Sequence, residues 1–424
     1  MKFNAIFLIF INRSWQATSG LITALLIINY FNSEEQGWYY AFMSLSSLFV
    51  IFELGLSGML TQYAAHIEIY KNKQKDKRYN LKFYSFINQS INKYINIIII
   101  FLIISIVIGE FFFKNFTKTL QLQWIAFIVL SGISFIAIPI LSILEGINLI
   151  KEVYCVRLMN GIIGSIICWL IIINGGSLWS ILALPSSAII INFLWLFYFQ
   201  KEIIGEYKES NLKNFNWNVN IKKLRRWVGV SWISTYMTSQ LSTPIIFYKF
   251  GPVLAGKFGL TITLIHMIGH LSQVLLINSV PIMSNYVLNK EWIKLKLLGN
   301  KCIQSFVFIY TILSFTLLIA YKFLMPDHFK FKLISYNEIV ALIVFVFFYQ
   351  ITVFFTLFLR SFKKEPISLI YLMGAIFTVI NSLMVQNNQS TIDIINIMLY
   401  SQLGIVFPFS IIIFIICKSR WIHS

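Results

Sequence analysis

The stretch YINIIIIFLIISIVIGEFFF, Tyr94 to Phe113, decides the fold. Apart from Asn96, Ser105, Gly109 and Glu110, every residue in it is aliphatic or aromatic. A hydrocarbon core of about 30 Å is crossed by roughly 20 such residues in helical form. A barrel strand would instead alternate polar and apolar over about ten residues, so this run reads as a membrane-spanning helix. Its flanks give it a direction. Lys71, Lys73, Lys75, Lys77, Arg78, Lys82 and Lys93 precede it, whereas only Lys114 and Lys118 separate it from the next apolar run. Cationic loops resist translocation, which places the preceding loop in the cytoplasm and sends the helix outward.

Working outward from it, about twelve comparable stretches run from Leu8 to Ile416, at approximately 8–31, 38–66, 94–113, 122–146, 153–173, 178–199, 227–249, 255–285, 302–324, 338–360, 367–386 and 395–416. Of the 34 Lys and Arg residues, all but Lys114, Lys118, Lys249, Lys257, Lys322, Lys330 and Lys332 fall on one alternate set of connections. That asymmetry predicts a multi-pass protein of a bacterial inner (cytoplasmic) membrane with both termini in the cytoplasm. A mean hydropathy of +0.76 with 12% charged residues excludes a soluble globule and leaves no room for a soluble catalytic domain. The net charge of +18 resides in short membrane-flanking loops, so a nucleic-acid partner is not expected. Cys155, Cys168, Cys302 and Cys417 lie in or at the inner edge of spans, so no disulfide framework is expected. Residues 8–31 read as a retained first helix, because Asn12, Arg13 and Gln16 interrupt the apolar region that a cleaved leader would need.

The expected fold class is therefore all-α integral membrane, with twelve transmembrane helices in two six-helix lobes around a central cavity. The N-terminal lobe is 1–199, a cytoplasmic linker is 200–226, and the C-terminal lobe is 227–424. A faint repeat accompanies this division. Ser14-Trp15 is matched by Ser231-Trp232, and Glu35-Gln36-Gly37-Trp38-Tyr39 by Leu254-Ala255-Gly256-Lys257-Phe258. Two amphipathic runs read as interfacial helices on the inner leaflet: Phe83, Phe86, Ile87 and Ile91 share a face in one, and Ile221 with Leu224 in the other.

Several polar groups interrupt the spans. Asn12, Gln16, Ser19 and Thr23 follow helical spacing beside Arg13, and Ser231, Ser234, Thr235, Thr238 and Ser242 do so beside Tyr236 and Gln240. Packing explains the hydroxyls; Asn12, Arg13, Gln16 and Gln240 point to a cavity wall. Glu53 falls near mid-membrane, where an acid costs about 2.5–3.5 kcal/mol and must face protein or water. It reads either as a proton or gating group or as half of a static ion pair. His266 and His270, four apart, read as a titratable pair or as hydrogen-bonded packing; no metal site is expected. Arg157, Lys249 and Arg360, with Glu145, sit near span ends as interfacial anchors or as cations for an anionic lipid headgroup. Gly251 to Phe258 imitates a phosphate loop, but Phe258 replaces the hydroxyl that magnesium needs, and no cofactor is expected.

Ser33-Glu34-Glu35-Gln36-Gly37-Trp38-Tyr39-Tyr40, Phe52-Glu53-Leu54-Gly55-Leu56-Ser57 and Gln62 resemble the O-antigen flippases, the polysaccharide transporters of the multidrug/oligosaccharidyl-lipid/polysaccharide exporter superfamily. The resemblance implies two lobes around a V-shaped cavity with alternating access. It also implies an undecaprenyl-pyrophosphate-linked glycan carried from the cytoplasmic to the periplasmic leaflet for lipopolysaccharide or surface-polysaccharide synthesis. Partners would be membrane lipids and polysaccharide polymerase machinery. Arg13 matches a basic residue low in the first helix of that pattern, and Glu53 is carried by the motif itself. Two alternatives stand beside it. An ion-coupled drug exporter of the same superfamily shares the fold but is not expected to have the Glu-Gln-Gly turn. A membrane O-antigen polymerase, an enzyme, needs a larger external loop than 325–337, whose acid–base candidates are Asp327 and His328.

Overall fold

The computed structural model describes residues 2–73, 77–114, 116–199, 229–362, 364–386 and 390–422, with side chains described outside 2–6, 66–84, 199 and 421–422. Those residues are helical almost throughout and contain no strand. Eight helices are long and apolar enough to cross a membrane, nine if one bent pair is counted as a single crossing. Large apolar side chains such as Phe111, Phe197, Phe308 and Ile415 stand exposed along them, an inside-out distribution that lipid rather than water tolerates. The segment 200–226, with its amphipathic run, lies outside the described residues.

The chain divides into two compact units: residues 1–31 with 45–229, and residues 32–44 with 230–424. In the first unit, α1 (Lys2–Tyr30) packs on α8 (Ile150–Ile173). α2 (Ser33–Ser46) begins in the second unit and ends in the first. After α3 (Phe49–Glu53), Leu54 and Gly55 take left-handed φ values of 53° and 68°, and α4 (Leu56–Lys73) departs at 45°. The span expected as one helix at 38–66 is thus broken in its middle, because two consecutive left-handed residues cannot continue a right-handed helix. α5 (Lys77–Phe113) is continuous. The run around Phe86 and Ile87 is therefore no separate interfacial helix: it extends the third span, and Phe86 packs on Tyr63 with ring centres 5.1 Å apart. No Gly or Pro lies between Lys77 and Ile108 to interrupt it.

α6 (Lys118–Phe135) and α7 (Ile138–Gly146) form one crossing, and α9 (Ala183–Phe199) follows a 3₁₀ turn at Ser177–Leu182. Ala137, Leu141, Leu144, Val153 and Leu196 close an apolar core among α7, α8 and α9.

In the second unit, helix α10 (229–239) breaks at Gln240–Leu241 before α11 (Ser242–Phe250). Pro244 explains the break: lacking an N–H, it cannot bond the Gln240 carbonyl one turn back. The Ser44 hydroxyl donates to that carbonyl instead. α12 (Pro252–Ser272) and α13 (Val274–Leu288) divide the span expected at 255–285, with Gln273 at the joint. α14 (Trp292–Ile319), α15 (Tyr336–Arg360), α16 (Ser368–Met384), α17 (Thr391–Tyr400) and α18 (Phe407–Ile422) complete the unit. α15 is the most deeply enclosed of the long apolar helices.

Candidate functional site

The Glu-Gln-Gly turn is a structural clamp within the second unit. Asn32 caps α2: its side-chain oxygen accepts from the Glu35 N–H at 2.7 Å, while Glu35 accepts from the Asn32 N–H at 2.9 Å. This reciprocal capping box satisfies two donors that a helix start leaves open. Gln36, 1% exposed, donates to the carbonyls of Gly256 and Lys332, each at 2.9 Å. Gly37 lies against the start of α12, where a β-carbon would come within 2.0 Å of the Pro252 carbonyl oxygen. One at Gly256 would reach 2.6 Å from the Gly37 nitrogen, and one at Gly259 would reach 2.5 Å from Tyr40. The two glycines matched by the sequence repeat thus touch each other, and the stretch imitating a phosphate loop is the floor of this crossing.

The hydroxyl stripes are spent on their own helices. Thr18 and Thr23 on α1, and Ser234, Thr235 and Thr238 on α10, each donate to the carbonyl four residues back. Stripped of these, the α1 stripe retains Asn12, buried with its amide oxygen lacking a partner, and Arg13 and Gln16, both exposed. Arg13 has no carboxylate partner among the described residues; its nearest titratable neighbour in the first unit is Tyr154. On α10, Tyr236 is buried with an unpartnered hydroxyl, and Gln240 is exposed at the helix break.

Glu53 sits at the bend between α3 and α4. One carboxylate oxygen accepts from the Tyr94 hydroxyl at 2.8 Å and from the Ser57 N–H at 3.1 Å. The second bond caps the first turn of α4, where open N–H groups and the helix dipole favour an anion. No cation pairs with Glu53 among the described residues.

The three span-end cations are all engaged. Arg157 pairs with Glu145 at 2.9 Å and lies over the Tyr154 ring, whose hydroxyl reaches Glu145 at 3.4 Å. Arg360 pairs with Glu365 at 2.7 Å and donates to Ser231 at 3.3 Å. Lys249 donates to the Val385 carbonyl at 2.6 Å, serving as the C-terminal partner of α16.

His266 and His270 stack at 6.3 Å, and the chain of rings continues from His266 to Tyr349 at 6.2 Å and from Tyr349 to Tyr371 at 6.5 Å. Along it, the His266 Nε2, Gln350 Nε2 and Tyr371 hydroxyl are buried without partners, while Gln273 donates to the Gln350 carbonyl at 2.7 Å. Sequence reasoning missed Tyr349, Gln350 and Tyr371. It also missed Glu338, 8% exposed, which accepts from the Ser335 backbone and hydroxyl at 2.9 and 2.7 Å and from Thr391. The Ser335-x-x-Glu338 spacing is a capping-box signature that would have found it. Among the described residues, no three His, Cys, Asp or Glu side chains gather closely enough to share a metal ion.

No protein-family model and no curated protein sequence matches the chain. Solved structures do. An outward-facing multidrug-resistance MATE family transporter of the MOP superfamily is 12% identical with a TM-score of 0.65, covering 99% of this chain and 96% of its own. An inward-facing one is 10% identical with a TM-score of 0.60, covering 95% and 99%. The lipid II flippase MurJ, inward closed, is 14% identical with a TM-score of 0.59, covering 96% and 87%. The likeness is one of fold: this chain is a multi-pass membrane protein built like the MOP-superfamily transporters. The neighbours named here are transporters and a flippase rather than enzymes.

Proposed function

We propose that the protein is a flippase that carries undecaprenyl-pyrophosphate-linked O-antigen repeat units from the cytoplasmic to the periplasmic leaflet of a bacterial inner membrane. In this reading twelve helices form two six-helix lobes, 1–199 and 227–424, that alternate access to a central cavity, with both termini cytoplasmic. The released unit passes to polysaccharide polymerase machinery. The observation that carries the proposal is the state of the charges. Arg13 is exposed on α1 without a carboxylate partner among the described residues, in a chain of net charge +18. The carboxylates best placed to greet a cationic cargo are already occupied: Glu53 by Tyr94 and Ser57, Glu145 by Arg157, Glu338 by Ser335 and Thr391, and Glu365 by Arg360. A free guanidinium beside committed acids suits an anionic headgroup such as a pyrophosphate. A MurJ-like fold supports a lipid-linked cargo.

Arg13→Ala is expected to abolish long-chain O-antigen in a strain that depends on this protein, with single lipid-linked units accumulating in the inner leaflet; Arg13→Lys restores part of it. Lipopolysaccharide banding with leaflet-resolved detection of the units reads the result. Units that cross but stay unpolymerised would instead assign the polymerase step. The MATE likeness supports a second reading, export of small cationic drugs. Drug efflux that survives Arg13→Ala in a strain with normal O-antigen would favour it.

A further inference from the structure

We infer that the facing surfaces of α1 and α8 in the first unit form a carbohydrate subsite, which receives hydroxyl groups of the sugar nearest the pyrophosphate. The inference rests on the flippase reading and adds a second recognition element to the charge of Arg13. Its starting point is a concentration of unmet hydrogen bonds. The Asn12 amide oxygen, the Trp15 indole N–H and the Asn160 amide oxygen are all buried without partners. Buried polar atoms in folded proteins are nearly always satisfied, so a group of orphans calls for a ligand or ordered water.

These three belong together in space. α1 and α8 run parallel and in register: Trp169 donates to the Thr23 hydroxyl at 2.9 Å, and Trp15 lies against Gly161. Both pairs are offset by the same number of residues. Asn160 therefore stands one residue from the level of Trp15, and Asn12 three residues below it, about 4.5 Å along the axis at 1.5 Å per residue. Asn12 and Trp15 are three apart and share a face of α1. Asn160 is held by its own donor, which bonds the Asn192 side chain at 2.8 Å and leaves its oxygen free.

The chemistry of the orphans selects the ligand. Two amide oxygens need donors and one indole N–H needs an acceptor. A hydroxyl is the smallest group that supplies both, and a sugar supplies several at fixed spacing. The indoles of Trp15 and Trp169, 6.1 Å apart, offer apolar faces to the C–H side of a pyranose. Space exists beside Gly161, where a β-carbon would meet Trp15 alone within 4 Å. Arg13 and Gln16, exposed on the same helix, border the way in.

Purified protein is tested by measuring its affinity for undecaprenyl pyrophosphate with and without an attached sugar, together with thermal unfolding in detergent. The wild type is expected to bind the sugar-bearing lipid about tenfold more tightly, the worth of one or two hydrogen bonds. Trp15→Phe, which keeps a ring and removes the N–H, and Asn12→Leu should each erase that increment and leave affinity for the sugar-free lipid unchanged. Asn12→Leu should also raise the unfolding temperature without ligand, because it removes an unsatisfied amide. A group with a structural bond would lower it. An intact increment in both variants, or a lowered unfolding temperature in Asn12→Leu, overturns the subsite and leaves the orphans to ordered water. A wild type that binds neither lipid overturns the flippase reading itself, and equal binding of both lipids overturns the subsite alone.

Discussion

Glu53 shows how one residue acquires several duties. Its carboxylate holds the Tyr94 hydroxyl and caps α4 across the bend at Leu54 and Gly55. Glu53→Leu leaves the tyrosine hydroxyl and the Ser57 N–H without an acceptor, a loss of about 2–4 kcal/mol at about 1–2 for each orphaned group. Thermal unfolding in detergent measures it. Glu53→Gln keeps an acceptor oxygen and should unfold within a few degrees of the wild type, so transport lost in Glu53→Gln but kept in Glu53→Asp would assign an ionisable role. Much of this residue was legible in the sequence, since an acid at mid-span must find a partner. Its partner was not. Expectation centred on a cation, whereas the structure supplies a hydroxyl and a helix terminus, and the terminus exists only because Leu54, a residue with no sequence mark of left-handed geometry, adopts it.

At the scale of elements, the crossing of α2 over α12 is set by atoms that are missing. Gly37→Ala would drive a methyl into the Pro252 carbonyl, and Gly256→Ala into the Gly37 backbone, contacts of 2.0 and 2.6 Å against main chain that cannot swing aside. Either should cost about 3 kcal/mol or more, in the range of severe overpacking, and remove folded protein from the membrane by western blot. Gly58→Ala is the control: nothing lies within 4 Å of its added carbon, and alanine in α4 should gain up to about 1 kcal/mol. The sequence displayed Glu35-Gln36-Gly37 as a resemblance and Gly256 as a faint repeat, but the contact joining them is long-range and leaves no periodicity to read. The ring chain from His270 to Tyr371 was half legible for the same reason. Two histidines at helical spacing stand out in a chain with five, whereas Tyr349 and Tyr371 are lost among 20 tyrosines.

For the whole molecule, apolar runs and the cation bias between them carried the fold class, because membrane insertion acts on composition averaged over whole segments and needs no tertiary partner. Helix breaks at Leu54, Gln240 and Gln273 escaped that averaging. Topology makes a direct prediction. Cys155 is exposed and Cys417 partly so, both near ends assigned to the cytoplasm. A membrane-impermeant maleimide should label them in inside-out vesicles and leave them unlabelled in right-side-out ones; the reverse pattern would invert the assignment. The clamp of Gln36 on Gly256 has a consequence for descent. Those positions lie 220 residues apart, yet neither the amide nor the glycine can be exchanged without recutting the other side. Homologous genes assembled by recombination between the two halves should be viable only where both parents carry this pair, so natural mosaics of such genes ought to inherit residues 32–44 together with the C-terminal half.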